Sequence, residues 1–148
     1  MTQIHVLPMS VSEICDAEGF ADLANSYRDE IDYGCLQAPV DGRFQHQVFE
    51  SAGLLRTAGA FADGKLVGFV SVMVTPSVHV EAKIVTVDSL FLDKKYRRGS
   101  NGLQLLKWAK QVATDEGSSL LVISAPVGSR LEKLLTLIGK KTESVFEI

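Results

Sequence analysis

Residues 97–103, Arg-Arg-Gly-Ser-Asn-Gly-Leu, combine two guanidinium groups with small residues that let a ligand approach the backbone closely. A β-prone run precedes this segment and a helical pattern follows it. The first amides of a helix have no internal acceptors, and the helix dipole favours a negative charge beside them. Strand, loop and helix start together predict a phosphate-binding turn. The same residues also fit an ordinary loop before a helix, so the segment alone leaves both interpretations open.

The turn matches neither of two common nucleotide-binding motifs. A Walker loop would continue with Gly-Lys-Ser or Gly-Lys-Thr, whereas Leu-Gln-Leu follows Gly102. A dinucleotide fingerprint would need three glycines at GxGxxG spacing, which this segment lacks. Neither a Walker-type nor a Rossmann-type nucleotide site is therefore expected.

Cysteine and histidine residues are few and widely spaced. Cys15 and Cys35 have no CxxC spacing, and His5, His46 and His79 are scattered along the chain. This arrangement predicts reduced thiols and no metal site. His46 or His79 could act as a base and Cys35 as an acyl-carrying nucleophile, but lone residues of these types more often lie on a surface or in a loop.

Composition and charge exclude several classes of protein. The chain has 148 residues, of which 46% are hydrophobic and 22% charged, as is typical of a folded globular domain. The net charge of -3 argues against general nucleic-acid binding, which needs a basic surface. The chain starts without a secretory pattern, and its apolar runs are shorter than the roughly 18 residues that cross a bilayer. We therefore expect a cytoplasmic protein with neither a nucleic-acid nor a membrane partner.

Hydrophobic periodicity and turn residues predict the elements that position the turn. Asp63-Gly64 separates two β-rich runs and is a strong hairpin signal, because such turns need positive φ angles. Ser10 can cap an early helix, whose apolar stripe continues past Gly19. Strands are expected at residues 4–7, 55–62, 65–75, 82–92, 120–124 and 142–147. Further helices are expected at residues 43–51, 101–116 and 129–138, and a loop at 33–40.

The order of these elements is β-α-α-β-β-β-α-β-α-β. It predicts a single α/β domain over residues 1–148, in which helices flank a mixed sheet. The runs at 65–75 and 82–92 carry apolar residues on both faces, as central strands covered on both sides do. The phosphate-binding turn would then follow directly on a buried central strand.

Residues 87–103 resemble the coenzyme-binding motif of the GNAT superfamily of N-acetyltransferases. The family pattern is Arg/Gln-x-x-Gly-x-Gly/Ala after a strand and before a helix. Arg97 matches its first position and Gly102 its last, while Ser100 stands where the first glycine is expected. A serine there keeps its backbone amide but restricts the loop more than glycine would.

The likeness extends over residues 55–148. Residues 63–70 resemble the family's hairpin before the coenzyme strand. Residues 134–140 resemble its late helix, which ends here in Ile138-Gly139-Lys140. The closing pattern also resembles small acetyltransferase-like proteins encoded by bacteriophages. The first fifty residues match the family only in the order of their elements.

The resemblance implies a GNAT-like fold with a central, mostly antiparallel sheet, and an N-acetyltransferase that uses acetyl-CoA. A primary amine, on a small molecule or a protein, would attack the thioester directly in a ternary complex. The strand before the motif would separate from its neighbour, so that free backbone amides meet the pantetheine and the thioester carbonyl. The coenzyme-binding residues implied are Leu90, Phe91, Leu92, Arg97, Arg98, Gly99, Ser100, Asn101, Gly102 and Leu103, with Gly128 and Ser129 on the other side.

Asp88 is the proton acceptor that the resemblance implies, because several relatives carry an acidic residue near the amine at this place. It could equally be a strand-end carboxylate paired with Lys or Arg. Many relatives protonate the departing thiolate with a tyrosine four residues before the glycine that ends the late helix, and Leu135 occupies that position here. Acidic residues near Tyr33 could attract a cationic amine or form a solvated turn; they are Asp29, Glu30 and Asp32.

Two hypotheses follow from these residues. The arginines, Gly102 and Asp88 favour an enzyme. Ser100 and Leu135 favour a protein that keeps the fold, with little or no catalysis, and works by binding a protein partner. Homodimers are frequent in the family, and the strand expected from residue 142 could pair across one.

Overall fold

Five strands form one sheet in the computed structural model, which describes residues 2–30, 42–118, 120–146 and 148. The sheet order follows the chain order, and all neighbours are antiparallel except the last pair, which is parallel. The strands are β1 (His5–Pro8), β2 (Leu55–Ala62), β3 (Lys65–Pro76), β4 (Lys83–Leu92) and β5 (Leu121–Val122). The helices are α1 (Val11–Asp16), α2 (Phe20–Glu30), α3 (Gly42–Ser51), α4 (Asn101–Asp115) and α5 (Arg130–Ile138). This mixed α/β arrangement confirms the predicted fold class.

Helices cover both faces of the sheet. On one face α4 packs its buried side chains, Leu105 among them, against Val70, Val72 and Val85. On the other face α1 and α2 pack against a second apolar cluster that contains Phe91. The apolar residues on both faces of β3 and β4 are explained by this double cover.

The hairpin between β2 and β3 forms where the sequence predicts it. Asp63 and Gly64 have φ angles of 50° and 79°. Positive φ at both central residues is the geometry that matches the twist of the flanking strands. The hairpin places β3 beside β4, the strand that leads into the predicted phosphate-binding turn.

A β-bulge interrupts β4 at Asp88. The register moves from Ser89 to Val87 on β4 while β3 advances by one residue, so Asp88 has no partner on β3. Val85 and Val87 on one side of the bulge, and Leu90 on the other, all pack against the α4 face. Strict alternation would put Val87 and Leu90 on opposite faces, so the extra residue is what keeps both in the core.

β4 and β5 are paired over a short distance only. Val85 lies opposite Leu121 and Thr86 opposite Val122, whereas β4 continues to Leu92. The edge of β4 at residues 87–92 that faces away from β3 therefore has no strand beside it among the described residues. This is the separation of strands that the family resemblance implies.

Three predicted elements differ from the structure. The early helical stripe divides into α1 and α2, because Gly19 adopts a φ of 95° and a Cβ there would stand 2.9 Å from the Leu66 carbonyl oxygen. The strand expected at 120–124 is limited to Leu121–Val122. The strand expected at 142–147 is wrong over residues 142–146, where the chain has no strand neighbour to satisfy its backbone groups. The loop expected at 33–40 lies outside the described residues.

Candidate functional site

The turn at residues 97–103 is open to solvent. Gly99 has a φ of 57°, and Arg98, Gly99 and Ser100 are exposed. Within the described part of the chain, no acceptor binds the backbone N–H groups of Gly99, Ser100, Gly102 or Leu103. A Cβ atom on Gly102 would meet nothing within 4 Å. Free donors and open space are therefore found together at the start of α4.

Local hydrogen bonds fix the shape of the turn. Asp93 accepts from the Lys95 amide at 2.8 Å and caps a single 3-10 turn at Lys94–Tyr96. Asn101 is buried, and its side-chain amide donates to the carbonyl oxygens of Tyr96 and Thr2 at 3.0 and 3.2 Å. The side chain of Asn101 is thus occupied in holding the helix start.

Arg97 is bound to the protein itself. Its Nε donates to the Leu92 carbonyl at 2.6 Å, and its Nη2 lies 3.0 and 2.8 Å from the two carboxylate oxygens of Glu30. The guanidinium carbon stands 5.1 Å from the centre of the Phe91 ring. Lys94 Nζ is also 3.5 Å from Glu30. Glu30 is therefore exposed, as Asp29 is, but is paired with two cations, Lys94 and Arg97.

The three predicted coenzyme residues of β4 end this strand directly before the turn. Leu90 packs with the α4-side core, and Leu92 is buried there. Phe91 faces the opposite side, with its ring centre 5.3 Å from that of Tyr27. Their side chains thus anchor the strand on both faces, and the backbone edge beyond Thr86 stays open.

Asp88 lies on the same face of the sheet as Ser71, Ser89 and His46. Its Oδ2 accepts from Ser71 Oγ at 3.0 Å and stands 3.3 Å from His46 Nε2. Ser71 Oγ also contacts Ser89 Oγ, so the bulge brings two consecutive β4 side chains to one β3 hydroxyl. No lysine or arginine of the described residues is in ion-pair distance of Asp88. The alternative that paired Asp88 with Lys or Arg is not what the structure has.

The contact between Asp88 and His46 shifts both groups toward their charged forms. The hydrogen bond from His46 lowers the pKa of Asp88, assisted by the Ser71 hydroxyl and opposed by burial. The hydrogen bond to Asp88 raises the pKa of His46, again opposed by burial. Near neutral pH the carboxylate of Asp88 is therefore available as an anion.

His46 is the functional candidate that sequence reasoning set aside. It lies 42 residues from Asp88, so no local pattern joins the two. The sequence did carry a signal for the bulge at Asp88. Val85 and Val87 share a face of β4 with Leu90 only if an extra residue intervenes. His79, the other histidine considered, is exposed.

The remaining predicted residues are distributed as follows. Ser129 Oγ accepts from the Glu132 amide at 3.0 Å and caps α5, and the Gly128 amide donates to the Glu132 carboxylate at 2.6 Å. Leu135 is half-buried on α5. Asp32, Tyr33 and Cys35 lie outside the described residues.

Two other kinds of feature are absent from the described residues. They contain no group of three or more His, Cys, Asp or Glu side chains arranged to hold a metal ion. Nor is any helix among them both long and apolar enough to cross a membrane.

Comparison with known proteins gives one family and many similar structures. The model of the acetyltransferase (GNAT) family matches residues 20–128. No curated protein matches the chain significantly.

Several solved structures share the fold at low sequence identity. A ribosomal-protein-alanine N-acetyltransferase from Brucella melitensis biovar Abortus 2308 has a TM-score of 0.74 at 20% identity, over 98% of this chain and 96% of that one. The aminoglycoside N-acetyltransferase AAC(6')-Iy in complex with CoA has a TM-score of 0.74 at 16% identity, over 100% and 95%. An aminoglycoside acetyltransferase from an uncultured soil metagenomic sample, in complex with sisomicin, has a TM-score of 0.73 at 15% identity, over 98% and 93%.

Proposed function

The chain belongs to the acetyltransferase (GNAT) family, and we propose that it transfers an acetyl group from acetyl-CoA to a primary amine. The amine attacks the thioester directly while both substrates are bound. The amine is carried by a small molecule or by a protein. Support for this range comes from the similar structures, which include a ribosomal-protein-alanine acetyltransferase and aminoglycoside acetyltransferases.

One observation carries the proposal: two sets of unpaired backbone groups, on the open edge of β4 and in the first turn of α4, lie on either side of residues 93–98. The edge begins after Thr86, where pairing with β5 ends. It leads into the turn in which the amides of Gly99, Ser100, Gly102 and Leu103 have no acceptor among the described residues. A diphosphate at the turn and a thioester along the strand would use these donors together.

Each part of this path has its own task in the reaction. The turn at residues 97–103 holds the diphosphate with its amides and the exposed Arg98. The backbone of Leu90 and Leu92, which faces the open edge on either side of Phe91, binds the pantetheine and donates to the oxyanion that forms when the amine attacks. Ser129 lies at the start of α5 and lines the other side of the coenzyme.

Asp88 binds the ammonium group of the amine and removes its proton. The lowered pKa of Asp88 supports the first task, because the carboxylate stays charged and attracts a cation. An alkylammonium ion has to lose a proton before its nitrogen can attack, so a nearby acceptor is needed for the second. An Asp88→Asn variant is expected to lose at least about a hundredfold in kcat/KM, within the range for general bases.

A second function is favoured by two observations. Arg97 is occupied by Glu30 and Leu92 rather than free for a ligand. Leu135 stands where a thiolate-protonating tyrosine is expected on α5. Both would suit a GNAT-fold protein that acts by binding a partner protein, with little or no turnover.

Calorimetry with acetyl-CoA tests whether the protein binds the coenzyme, which the enzyme function requires. Wild type should bind acetyl-CoA, and Gly102→Glu should bind at least about tenfold more weakly, a loss of ~1.4 kcal/mol, because the new carboxylate repels the diphosphate. Gly102→Ala is the matched control, since the open space beside Gly102 accepts a methyl group. Equal binding by Gly102→Glu and wild type, or no binding by any variant, would contradict the enzyme. Thiol release across a panel of amines then measures turnover.

The remaining expectations stay predictions. We infer a single domain over residues 1–148, supported by solved structures that match nearly the whole chain. A cytoplasmic location is inferred from the sequence. The predicted homodimer requires a solution measurement of mass, such as light scattering.

A further inference from the structure

We propose that His46 is a positioning residue for the amine reaction, which orders Asp88 and takes over the proton that Asp88 removes from the ammonium group. This inference rests on the proposed function and adds a second side chain to it. It is carried by three observations: the orientation of the imidazole, the free oxygen of Asp88, and the absence of competing charges among the described residues.

The orientation of the imidazole fixes its protonated nitrogen. His46 Nδ1 lies 2.6 Å from the Gly42 carbonyl oxygen, which can only accept a hydrogen bond, so Nδ1 carries a proton. In the neutral ring the lone pair is therefore on Nε2, which lies 3.3 Å from Asp88 Oδ2. The imidazolium donates from Nε2 to Asp88, and the neutral ring presents an acceptor to the same oxygen.

The second oxygen of Asp88 is available to a ligand. Both protein contacts, from Ser71 Oγ and His46 Nε2, are made to Oδ2. Oδ1 has no partner within the described ranges 2–30, 42–118, 120–146 and 148. The side chain of Asp88 is 40% exposed, so an ammonium group can reach Oδ1. One oxygen of the carboxylate is thus open to a ligand, and the other contacts the imidazole.

Other charged groups on the elements packed against α3 are bound elsewhere. On α1, Asp16 pairs with Arg43 of α3, and Glu13 binds the Ser10 amide. Glu50 of α3 accepts from the Val11 amide, and Arg56 of β2 pairs with Glu116. Cys15 of α1 is half-buried and has contacts of its own.

The elements packed against β4 contribute no nearer charge. Lys83 at the start of β4 pairs with Glu116 and Lys65 at the start of β3 with Glu18. The charged residues of α4 lie on the helix that covers the other face of the sheet; they are Lys107, Lys110 and Asp115. Among the described side chains, Asp88 is therefore the one charged group in contact with His46.

Proton affinity explains why two groups serve better than one. The fold lowers the pKa of Asp88, which makes the carboxylate a weaker proton acceptor than an ordinary aspartate. The fold raises the pKa of His46, which makes the neutral imidazole a stronger acceptor than an ordinary histidine. The imidazole is thus much closer in basicity to an alkylamine, and a base of that strength is more effective at neutral pH.

The proton balance of the step is complete. With His46 neutral, an N–H bond of the ammonium group breaks and the proton forms an O–H bond with Asp88 Oδ1. The carboxyl then turns about its Cβ–Cγ bond so that this oxygen faces Nε2, the O–H bond breaks, and the proton forms the imidazolium. The freed lone pair attacks the thioester carbonyl, and the C–S bond breaks on collapse. A second proton leaves the amide nitrogen and neutralises the thiolate of CoA. His46 then releases its proton to water.

Proton NMR of the histidine ring tests the arrangement without turnover. The chain has three histidines, so His46→Gln assigns the resonance of His46. We expect the pKa of His46 to fall in Asp88→Asn, because the charged acceptor is lost, and to fall in wild type on adding ethylammonium chloride, because a second cation binds Asp88. The inference is overturned if the pKa of His46 changes neither in Asp88→Asn nor on adding ethylammonium chloride.

The pH profile of kcat/KM tests the proton step in the active protein. Glutamine at position 46 can still donate to Asp88 but does not titrate, and His79→Gln is the matched control at an exposed histidine. His46→Gln should lose about a hundredfold at pH 8 and lose the acidic limb that His46 produces in wild type. If kcat/KM of His46→Gln falls equally at every pH and the acidic limb is retained, the inference is overturned. A kcat/KM within about twofold of wild type overturns it as well.

The two measurements distinguish the inference from the proposed function. The expected NMR responses in a protein that acetylates no amine would contradict the proposed function and leave Asp88 and His46 as a cation-binding pair without the proton step. Turnover in wild type together with an unchanged pH profile in His46→Gln would support the proposed function and overturn the role of His46.

Discussion

Gly68 of β3 lies so close to the Phe91 carbonyl of β4 that a Cβ atom on it would stand 2.7 Å from the oxygen. Leu92, the residue that pairs with Gly68, is the last residue of β4 before the turn. A side chain at position 68 would therefore push the two strands apart where the open edge of β4 ends.

Gly68→Ala is expected to destabilise the protein by about 1–3 kcal/mol, because the contact is with backbone that cannot rotate away. Urea unfolding followed by circular dichroism measures the difference. Gly102→Ala is the control, since a methyl group there meets nothing within 4 Å. A Gly68→Ala protein as stable as wild type would show that β3 and β4 can move apart at no cost.

Removing the carboxylate of Glu30 is expected to tighten acetyl-CoA binding. Glu30 neutralises Arg97 beside the proposed diphosphate site, so Glu30→Gln leaves the guanidinium with an uncompensated charge. We expect the Kd to fall by roughly twofold to tenfold at low salt and the effect to shrink at high salt, because salt screens exposed charges.

Asp29→Asn is the matched control for Glu30→Gln. Asp29 is the exposed neighbour of Glu30 on α2, and its removal changes the net charge equally. Calorimetry of both variants against wild type gives the comparison. Weaker binding by Glu30→Gln would mean that Arg97 serves to dock α2 on the turn rather than to attract the coenzyme.

The pair of His46 and Asp88 makes stability depend on pH. Folding raises the pKa of His46, so its contribution is complete below the ordinary value of 6.5 and is lost as pH rises through the raised pKa. Folding lowers the pKa of Asp88, so its contribution is complete above the ordinary value of 3.8 and is lost as pH falls through the lowered pKa.

Both contributions are therefore present between these two ordinary values. The stability difference between wild type and His46→Gln should be largest there and should shrink as the solution becomes alkaline. Its size should stay below about 1 kcal/mol, because the side chains are 38% and 40% exposed. Urea unfolding over a series of pH values tests this, and a difference that does not vary with pH would refute the pairing.

Two helix caps of the same chemistry should have different effects. Ser10 accepts from the Glu13 amide and caps α1, which buries Val11 and Ile14 in the fold. Ser129 caps α5, which buries none of its described residues. Loss of a serine cap costs about 1 kcal/mol of helix stability.

We expect Ser10→Ala to lower the global free energy of unfolding by about that amount. Ser129→Ala should instead leave global unfolding nearly unchanged and speed hydrogen exchange within α5, because this helix can open without exposing the core. Hydrogen-exchange mass spectrometry beside urea unfolding distinguishes the two. Equal global losses in both variants would show that α5 unfolds together with the sheet.

Much of the fold could be predicted because it depends on local signals. Asp63-Gly64 takes the positive φ angles that a two-residue hairpin turn requires, and Ser10 and Ser129 cap the helices that follow them. The start of α4 at Asn101 was also predictable, since apolar residues begin to recur at helical spacing there.

Local signals failed where a neighbour is needed. The strand expected at 142–147 had the right residue types, but a strand forms only when another strand satisfies its backbone groups. None does so for residues 142–146. The division of the first helical stripe at Gly19 similarly depends on Leu66, which is distant in sequence.

By itself, the sequence determined the hairpin, the helix caps and the start of α4, because these depend on the backbone preferences of adjacent residues. Only the tertiary structure decided that Asp88 sits in a bulge, that His46 from a different helix contacts it, and that Glu30 occupies Arg97. These relationships join residues far apart in the chain, and their distances are fixed by how helices pack on the sheet rather than by any local pattern.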